Sequence, residues 1–213
     1  MKFKLSQIDE LLLPDHHYLN RDDECFFLGE YTARQGFRFS DTNQLIYNLK
    51  KGVERKPLGD YRYKLEAINQ VAEYIASISN ISEWTVIPVP PSKSKDDPLY
   101  DDRLVKILEV AKSINPKVDY RELVTQAGSY RASHLADGNR QKPEDLALRY
   151  RIDDALIGGL RNIIIFDDVL TAGSHFAAMK NFISDNVPDK RVVGLFVTRT
   201  TRGSDNPFED DDL

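Results

Sequence analysis

Cysteine is almost absent: Cys25 is the only one in 213 residues. That excludes an intrachain disulfide and any cysteine-cluster metal site. His16 and His17 lack acidic or cysteine partners at a recognisable ligand spacing, so both are assigned to structure or surface. No apolar run approaches membrane-spanning length. Residues 1–7 hold no long apolar core, so a secretory signal is not expected. An excess of basic charge is also missing: 29 Lys and Arg against 34 Asp and Glu leave a net charge of -5. The whole molecule is therefore not a nucleic-acid-coating protein, although a local basic patch stays open. A dinucleotide fingerprint needs three spaced glycines and a P-loop needs Gly-Lys-Ser/Thr; neither is present. No internal repeat or low-complexity tract is evident. What remains is long enough for one α/β domain with a sizeable core, or one domain plus an appendage. A reducing cytoplasm and the absence of any membrane partner are the expectations.

What the chain does have is concentrated in residues 162–175. The apolar run Ile163, Ile164, Ile165 and Phe166 leads into Asp167 and Asp168. Such a run reads as a buried parallel strand. Thr171, Ala172, Gly173, Ser174 and His175 form a short loop, and a helical pattern begins at Phe176. Open α/β sheets bind ligands at the carboxyl ends of their strands. Two carboxylates there can accept hydrogen bonds from neighbouring sugar hydroxyls. The loop can turn backbone N–H groups and two hydroxyls toward a phosphate at the next helix's N-terminus. A haloacid-dehalogenase-type phosphatase needs a second Asp two residues after the first, and Val169 occupies that position. The bland alternative is a buried strand ending in a solvated turn, with both acids merely exposed.

The rest of the chain alternates as α/β folds do. Residues 25–33 are rich in strand formers and are expected to pair with residues 36–39 as a hairpin. Ser40 or Asp41 looks like the N-cap of a helix over residues 43–51. A long helix is expected over residues 61–79, with Leu65, Ile68, Ala72, Ile75 and Ser79 on its apolar face, widened by Val71 and Ile78. Residues 84–89 read as a strand ending in Pro90 and Pro91. Leu104, Ile107, Leu108, Ala111 and Ile114 mark a helix, and residues 118–125 a further strand. Residues 127–142 read as a long loop, and long loops in compact domains are usually functional or disordered. Pro143 opens a short helix. Residues 174–184 are expected to be helical and residues 192–197 to form a strand. The acidic end, residues 208–213, reads as a solvated tail.

The strand, acid pair and loop of residues 162–175 resemble the PRPP-binding motif of type I phosphoribosyltransferases. Further pieces are similar to the ComF-like branch of that superfamily. Ile46, Leu49 and Lys50 match its Ile-x-x-Leu-Lys-x-x-Gly helix. Residues 86–91 are similar to its Val-Pro-Val-Pro strand, and residues 196–200 to its Ala-Arg-Thr ending, with Thr198 in place of Ala. The resemblance covers residues 43–200. It implies an α/β fold: a mainly parallel twisted sheet flanked by helices, of the type I phosphoribosyltransferase kind. Residues 61–213 would form that domain, and residues 1–60 a small β-containing appendage or hood, the two together satisfying one compact domain as well. The chain departs from the branch in two places. The N-terminal four-cysteine zinc module is missing, and His175 stands where Thr is usual.

The resemblance also implies roles. Asp167 and Asp168 would accept from the ribose 2′- and 3′-hydroxyls. Thr171, Ala172, Gly173, Ser174 and His175 would surround the 5′-phosphate, with ordinary N-cap chemistry as the alternative for Thr171 and Ser174, and helix capping for His175. Ser92, Lys93 and Arg103 would meet the pyrophosphate; a solvated basic loop is the alternative for Lys93, and i,i+4 surface pairing for Arg103. Arg131, with Arg140 and Lys142, would belong to a catalytic lid, the alternative being a plain solvated loop. Mg²⁺ would be bound through PRPP rather than in a protein cage. The acceptor would be a small nitrogenous compound that no residue pattern identifies. Two other functions fit the same family: a PRPP- or nucleotide-sensing regulator, and a protein of DNA uptake or processing. Nucleic-acid binding and homo-oligomer formation both stay open.

One cysteine cannot build the usual closed tetrahedral zinc site. Elemental analysis of purified, untagged protein is therefore expected to find no stoichiometric zinc; one zinc per chain would overturn this reading of the N-terminal region.

Overall fold

The computed structural model describes residues 3–128 and 142–201. Among them are the strands β1 (Ser6–Gln7), β2 (Cys25–Phe27), β3 (Glu30–Thr32), β4 (Trp84–Pro88), β5 (Asp119–Tyr120), β6 (Val124–Gln126), β7 (Tyr150–Ile152), β8 (Asn162–Leu170) and β9 (Val192–Thr201). The α-helices are α1 (Asp41–Leu49), α2 (Arg62–Ser77), α3 (Arg103–Ile114), α4 (Pro143–Ala147) and α5 (Ser174–Asn186). Strands buried on both faces need apolar residues throughout. In β8, Ile163, Ile165 and Phe166 are fully buried, which makes it the central strand. The main sheet runs β1-β2-β9-β8-β4-β5, with β3 also on β9. Every pairing in it is parallel except β1 with β2. The protein is thus mixed α/β, with a mostly parallel central sheet flanked by helices. Strands β1 to β3, all from residues 1–60, belong to that same sheet. A separate two-stranded sheet pairs β6 with β7.

The expected hairpin of residues 25–39 does not form. Strands β2 and β3 instead run in sequence along one edge of β9, joined through Leu28 and Gly29, whose backbones also bond to β9. Residues 33–39 are turns and bends. The buried Asn43 side chain explains this: it accepts from the Thr32 N–H at 3.0 Å and donates to the Thr32 and Gly36 carbonyls. These are hydrogen bonds that a returning strand would have used. The N-cap of α1 is Ser40, whose hydroxyl accepts from the Asn43 N–H at 3.0 Å.

Other differences follow from tertiary pairing. On α2, Leu65 is exposed, and the buried stripe is Lys64, Ile68, Val71 and Ile75 with Ala67 and Ala72; the helix ends at Ser77, so Ser79 lies beyond it in an exposed turn. Ile114, at the end of α3, is half exposed. Residues 118–125 split between β5 and β6, which lie in different sheets. Strands β8 and β9 extend past their apolar runs, because their pairing continues to Val169 with Thr198 and Leu170 with Arg199. Residues 129–141, including Arg131 and Arg140 of the expected lid, and the tail at 208–213 lie outside the described residues.

Packing is close where β9 meets β2 and α5. A Cβ on Gly194 would lie 2.7 Å from Phe196, 3.0 Å from the Cys25 sulfur and 3.1 Å from Phe176. Gly194→Ala is therefore expected to lose about 1–3 kcal/mol of stability in urea denaturation. Gly59→Ala, which meets nothing within 4 Å, is the control and should stay within about 0.5 kcal/mol.

Candidate functional site

At the carboxyl ends of β4 and β8 the chain leaves the sheet on both sides of a cavity of about 390 Å³. Pro90, Pro91, Ser92 and Lys93 form one wall; Asp101, Asp102 and Arg103, at the start of α3, form another. Asp167, Asp168, Thr171, Gly173, Ser174 and His175 close it below, and Lys50 reaches in from the end of α1.

The loop before α5 is held from behind. Gly173 has φ 89°, in the left-handed region, where glycine is favoured. A Cβ there would also come within 2.9 Å of the Leu19 side chain. The Tyr18 N–H donates to the Ala172 carbonyl at 2.9 Å. The buried His16 ring bonds through Nδ1 to the Thr171 carbonyl. Burial is the main cause of a lowered His16 pKa, against the Thr171 bond. A neutral ring donating from Nδ1 fits both facts. This segment braces the loop from behind, and Thr171, Gly173, Ser174 and His175, at the N-terminus of α5, line the cavity, a position that suits an anion.

The two acids are buried and already engaged. Asp167 and Asp168 are 8% and 6% exposed. Asp168 Oδ2 accepts from Arg103 Nε at 2.9 Å, and Oδ1 lies 3.5 Å from Lys50 Nζ. Burial alone would raise the Asp168 pKa; the charges of Lys50, Arg103 and His175 overcome it and hold the carboxyl below its usual range. Asp167 Oδ1 accepts the Asp168 N–H at 2.8 Å, and Oδ2 lies 3.4 Å from His175 Nδ1. Burial lowers the His175 pKa, but the hydrogen bond and charge of Asp167, with the charge of Asp168, outweigh it and the net shift is upward. A protonated ring donates to Asp167 from Nδ1 and presents Nε2–H. His175 Nε2 has no partner among the described residues.

A second tier stands behind Arg103. Its Nη1 donates to Asp101 Oδ2 at 2.7 Å. Asp101 in turn takes the Lys64 ammonium on both oxygens, at 2.8 and 2.7 Å. The Lys64 side chain is 1% exposed. Lys93 is paired with Asp97 at 3.3 Å.

The structure therefore gathers Asp167, Asp168, Thr171, Gly173, Ser174, His175, Ser92, Lys93 and Arg103 around one cavity. Ala172 is fully buried behind the loop, where only its backbone takes part. Arg131 lies outside the described residues. Arg103 starts α3 at the cavity wall, where it links Asp168 to Asp101. Three contributors went unassigned in the sequence. Lys50 was visible only as a matching letter in a helix pattern. Asp101 sat in an acidic pair with no apparent task. Lys64 carried a signal, a charge in line with Ile68, Val71 and Ile75. Among the described residues no group of three or more His, Cys, Asp or Glu gathers to hold a metal, and no helix is long and apolar enough to cross a membrane. A scan against protein-family models and a search of curated proteins each return no match.

The raised His175 pKa fixes the sign of one pH effect. A group whose pKa is higher in the folded state adds stability that is complete below its unfolded value and lost as pH rises through the folded value. Comparing thermal melts of the protein and His175→Gln from about pH 6 to about pH 8.5 should show the protein's advantage shrinking with pH. An advantage that grows with pH would contradict the His175–Asp167 pairing.

Proposed function

We propose that this cavity binds PRPP and that the protein transfers the phosphoribosyl group to a small nitrogenous acceptor, releasing pyrophosphate. One observation carries the proposal. A left-handed glycine loop at a helix N-terminus, a buried acid pair at the end of the preceding strand and a Ser-Lys loop across the cavity meet in one space. That combination suits a ligand with phosphate at one end, vicinal hydroxyls in the middle and a second anionic group at the other. The family resemblance read from residues 43–200 supplies the identity of such a ligand.

The roles carry over from the family resemblance to residues that line the cavity. Residues 171–175 take the 5′-phosphate through backbone N–H groups and the Thr171 and Ser174 hydroxyls. Asp167 and Asp168 take the ribose hydroxyls. Ser92 and Lys93 take the leaving pyrophosphate. Transfer replaces the C1–O bond with a C–N bond, and pyrophosphate leaves with the bonding pair. The transition state of such a transfer resembles an oxocarbenium ion, so the protein's task is to hold the sugar, stabilise the leaving anion and exclude water.

Mg²⁺ belongs to the same proposal. Each Asp168 oxygen faces a cation, and Asp167 is engaged by a backbone N–H and His175. Carboxylates so engaged fit an ion carried by the ligand's own oxygens and water. Bound that way, it would neutralise charge on the pyrophosphate.

Calorimetric titration with PRPP and Mg²⁺ tests the site. Asp167→Asn with Asp168→Asn is expected to weaken binding at least about tenfold, on the order of 1.4 kcal/mol. Thermal melting of the double variant must first show a cooperative fold, because the change leaves Lys50 and Arg103 without their carboxylate. Unchanged affinity in a folded double variant would remove the assignment. Pyrophosphate release in an acceptor screen then separates transfer from binding alone.

A further inference from the structure

Lys64 is the least expected residue in the core. It occupies the apolar stripe of α2, where an aliphatic side chain would pack without desolvating a charge. Packing therefore does not account for it. Its ammonium has three protons to donate and three acceptor oxygens around it. The Lys51 carbonyl lies at 2.6 Å, and the two Asp101 oxygens at 2.8 and 2.7 Å.

Those acceptors lead in two directions. Lys51 directly follows Lys50, whose ammonium lies 3.5 Å from Asp168 Oδ1. Asp101 holds Arg103 twice: Oδ2 accepts from Nη1 at 2.7 Å, and Oδ1 accepts from the Arg103 backbone N–H at 3.2 Å. Arg103 Nε then reaches Asp168 Oδ2 at 2.9 Å. The two cations facing Asp168 come from different parts of the chain, the end of α1 and the start of α3. Lys64 joins both parts to α2. We infer that Lys64 is a positioning residue: from inside the fold it sets the two cations that flank Asp168, through the Lys51 carbonyl on one side and the Asp101 carboxylate on the other.

The charged and titratable neighbours are few. Lys64 faces Asp101, Asp102, Arg103 and the Tyr61 ring; Asp168 faces Lys50, Arg103, His175 and Asp167. Lys64 lies outside the cavity lining and would touch no ligand. The inference rests on the PRPP reading only for its binding measurement; the geometry of Asp168 can be tested in the free protein.

The test is Lys64→Met with Asp101 left in place, read beside Lys64→Met combined with Asp101→Asn. The single variant leaves Arg103 its carboxylate partner, and the double variant leaves net charge unchanged. A change at Asp168 shared by both reports displaced cations rather than lost charge or a missing Asp101. Carbon-13 NMR of the Asp168 carboxyl should show it titrating at higher pH than in the unaltered protein, because Arg103 and Lys50 no longer hold it. Calorimetry with PRPP and Mg²⁺ should show about tenfold weaker binding, on the order of 1.4 kcal/mol. A folded double variant with unchanged Asp168 titration would overturn the inference, even if its melting temperature had dropped, since a purely structural lysine moves stability alone. A shifted Asp168 titration in a protein that never binds PRPP would support the positioning role and remove the proposed function. Should the double variant fail to melt cooperatively, Lys64→Gln replaces it, read through the exchange protection of the Arg103 Nε proton. Lost protection supports the role, and full protection overturns it.

Discussion

A carboxylate taken almost wholly out of water must be paired, or it will protonate. Asp168 is such a group, and much of the architecture near the cavity answers its requirement. Lys50 arrives from α1, Arg103 from α3, and Asp101 and Lys64 fix Arg103 from behind. Each partner would be costly to bury alone. Together they make an alternating chain of charges from the core of α2 to the rim of the sheet. Asp168 thus enters the cavity ionised and in a fixed place, with cations poised beside it.

The opposite side of the site rests on backbone rather than charge. The N-terminal segment at residues 16–19 packs beneath the loop, bonds two of its carbonyls and leaves room for no side chain at Gly173. With its carbonyls bonded from behind, the loop can turn N–H groups forward. Residues 1–60 therefore do more than add strands to the sheet: they brace the loop through His16, Tyr18 and Leu19 and supply Lys50 through α1. A rigid backing of this kind lowers the ordering cost of binding an anion.

Much of this was legible in the letters. The apolar run into Asp167 and Asp168, the glycine loop and the helix after it are local patterns, and the structure has them where the periodicity puts them. The cap at Ser40 is local as well. The misreadings all depend on partners distant in the chain. The hairpin at residues 25–39 failed because β9 and Asn43 took its hydrogen bonds. Leu65 was placed on the buried face by its spacing from Ile68 and Ala72, whereas Lys64 takes the buried position because the Lys51 carbonyl and Asp101, 37 residues away, receive its ammonium. The structural reading of His16 agrees with its buried ring, but its partner, the Thr171 carbonyl 155 residues on, was beyond local pattern. Pattern reading finds faces and turns; it does not find who meets whom across a sheet.

The most direct measurement of the central claim is a crystal soaked with PRPP and Mg²⁺. The 5′-phosphate is expected within hydrogen-bond distance of the backbone N–H groups of residues 171–175, with the ribose hydroxyls toward Asp167 and Asp168 and the pyrophosphate toward Ser92 and Lys93. Ligand density seated elsewhere, or a phosphate that avoids that loop while the cavity stays open to solvent, would contradict it.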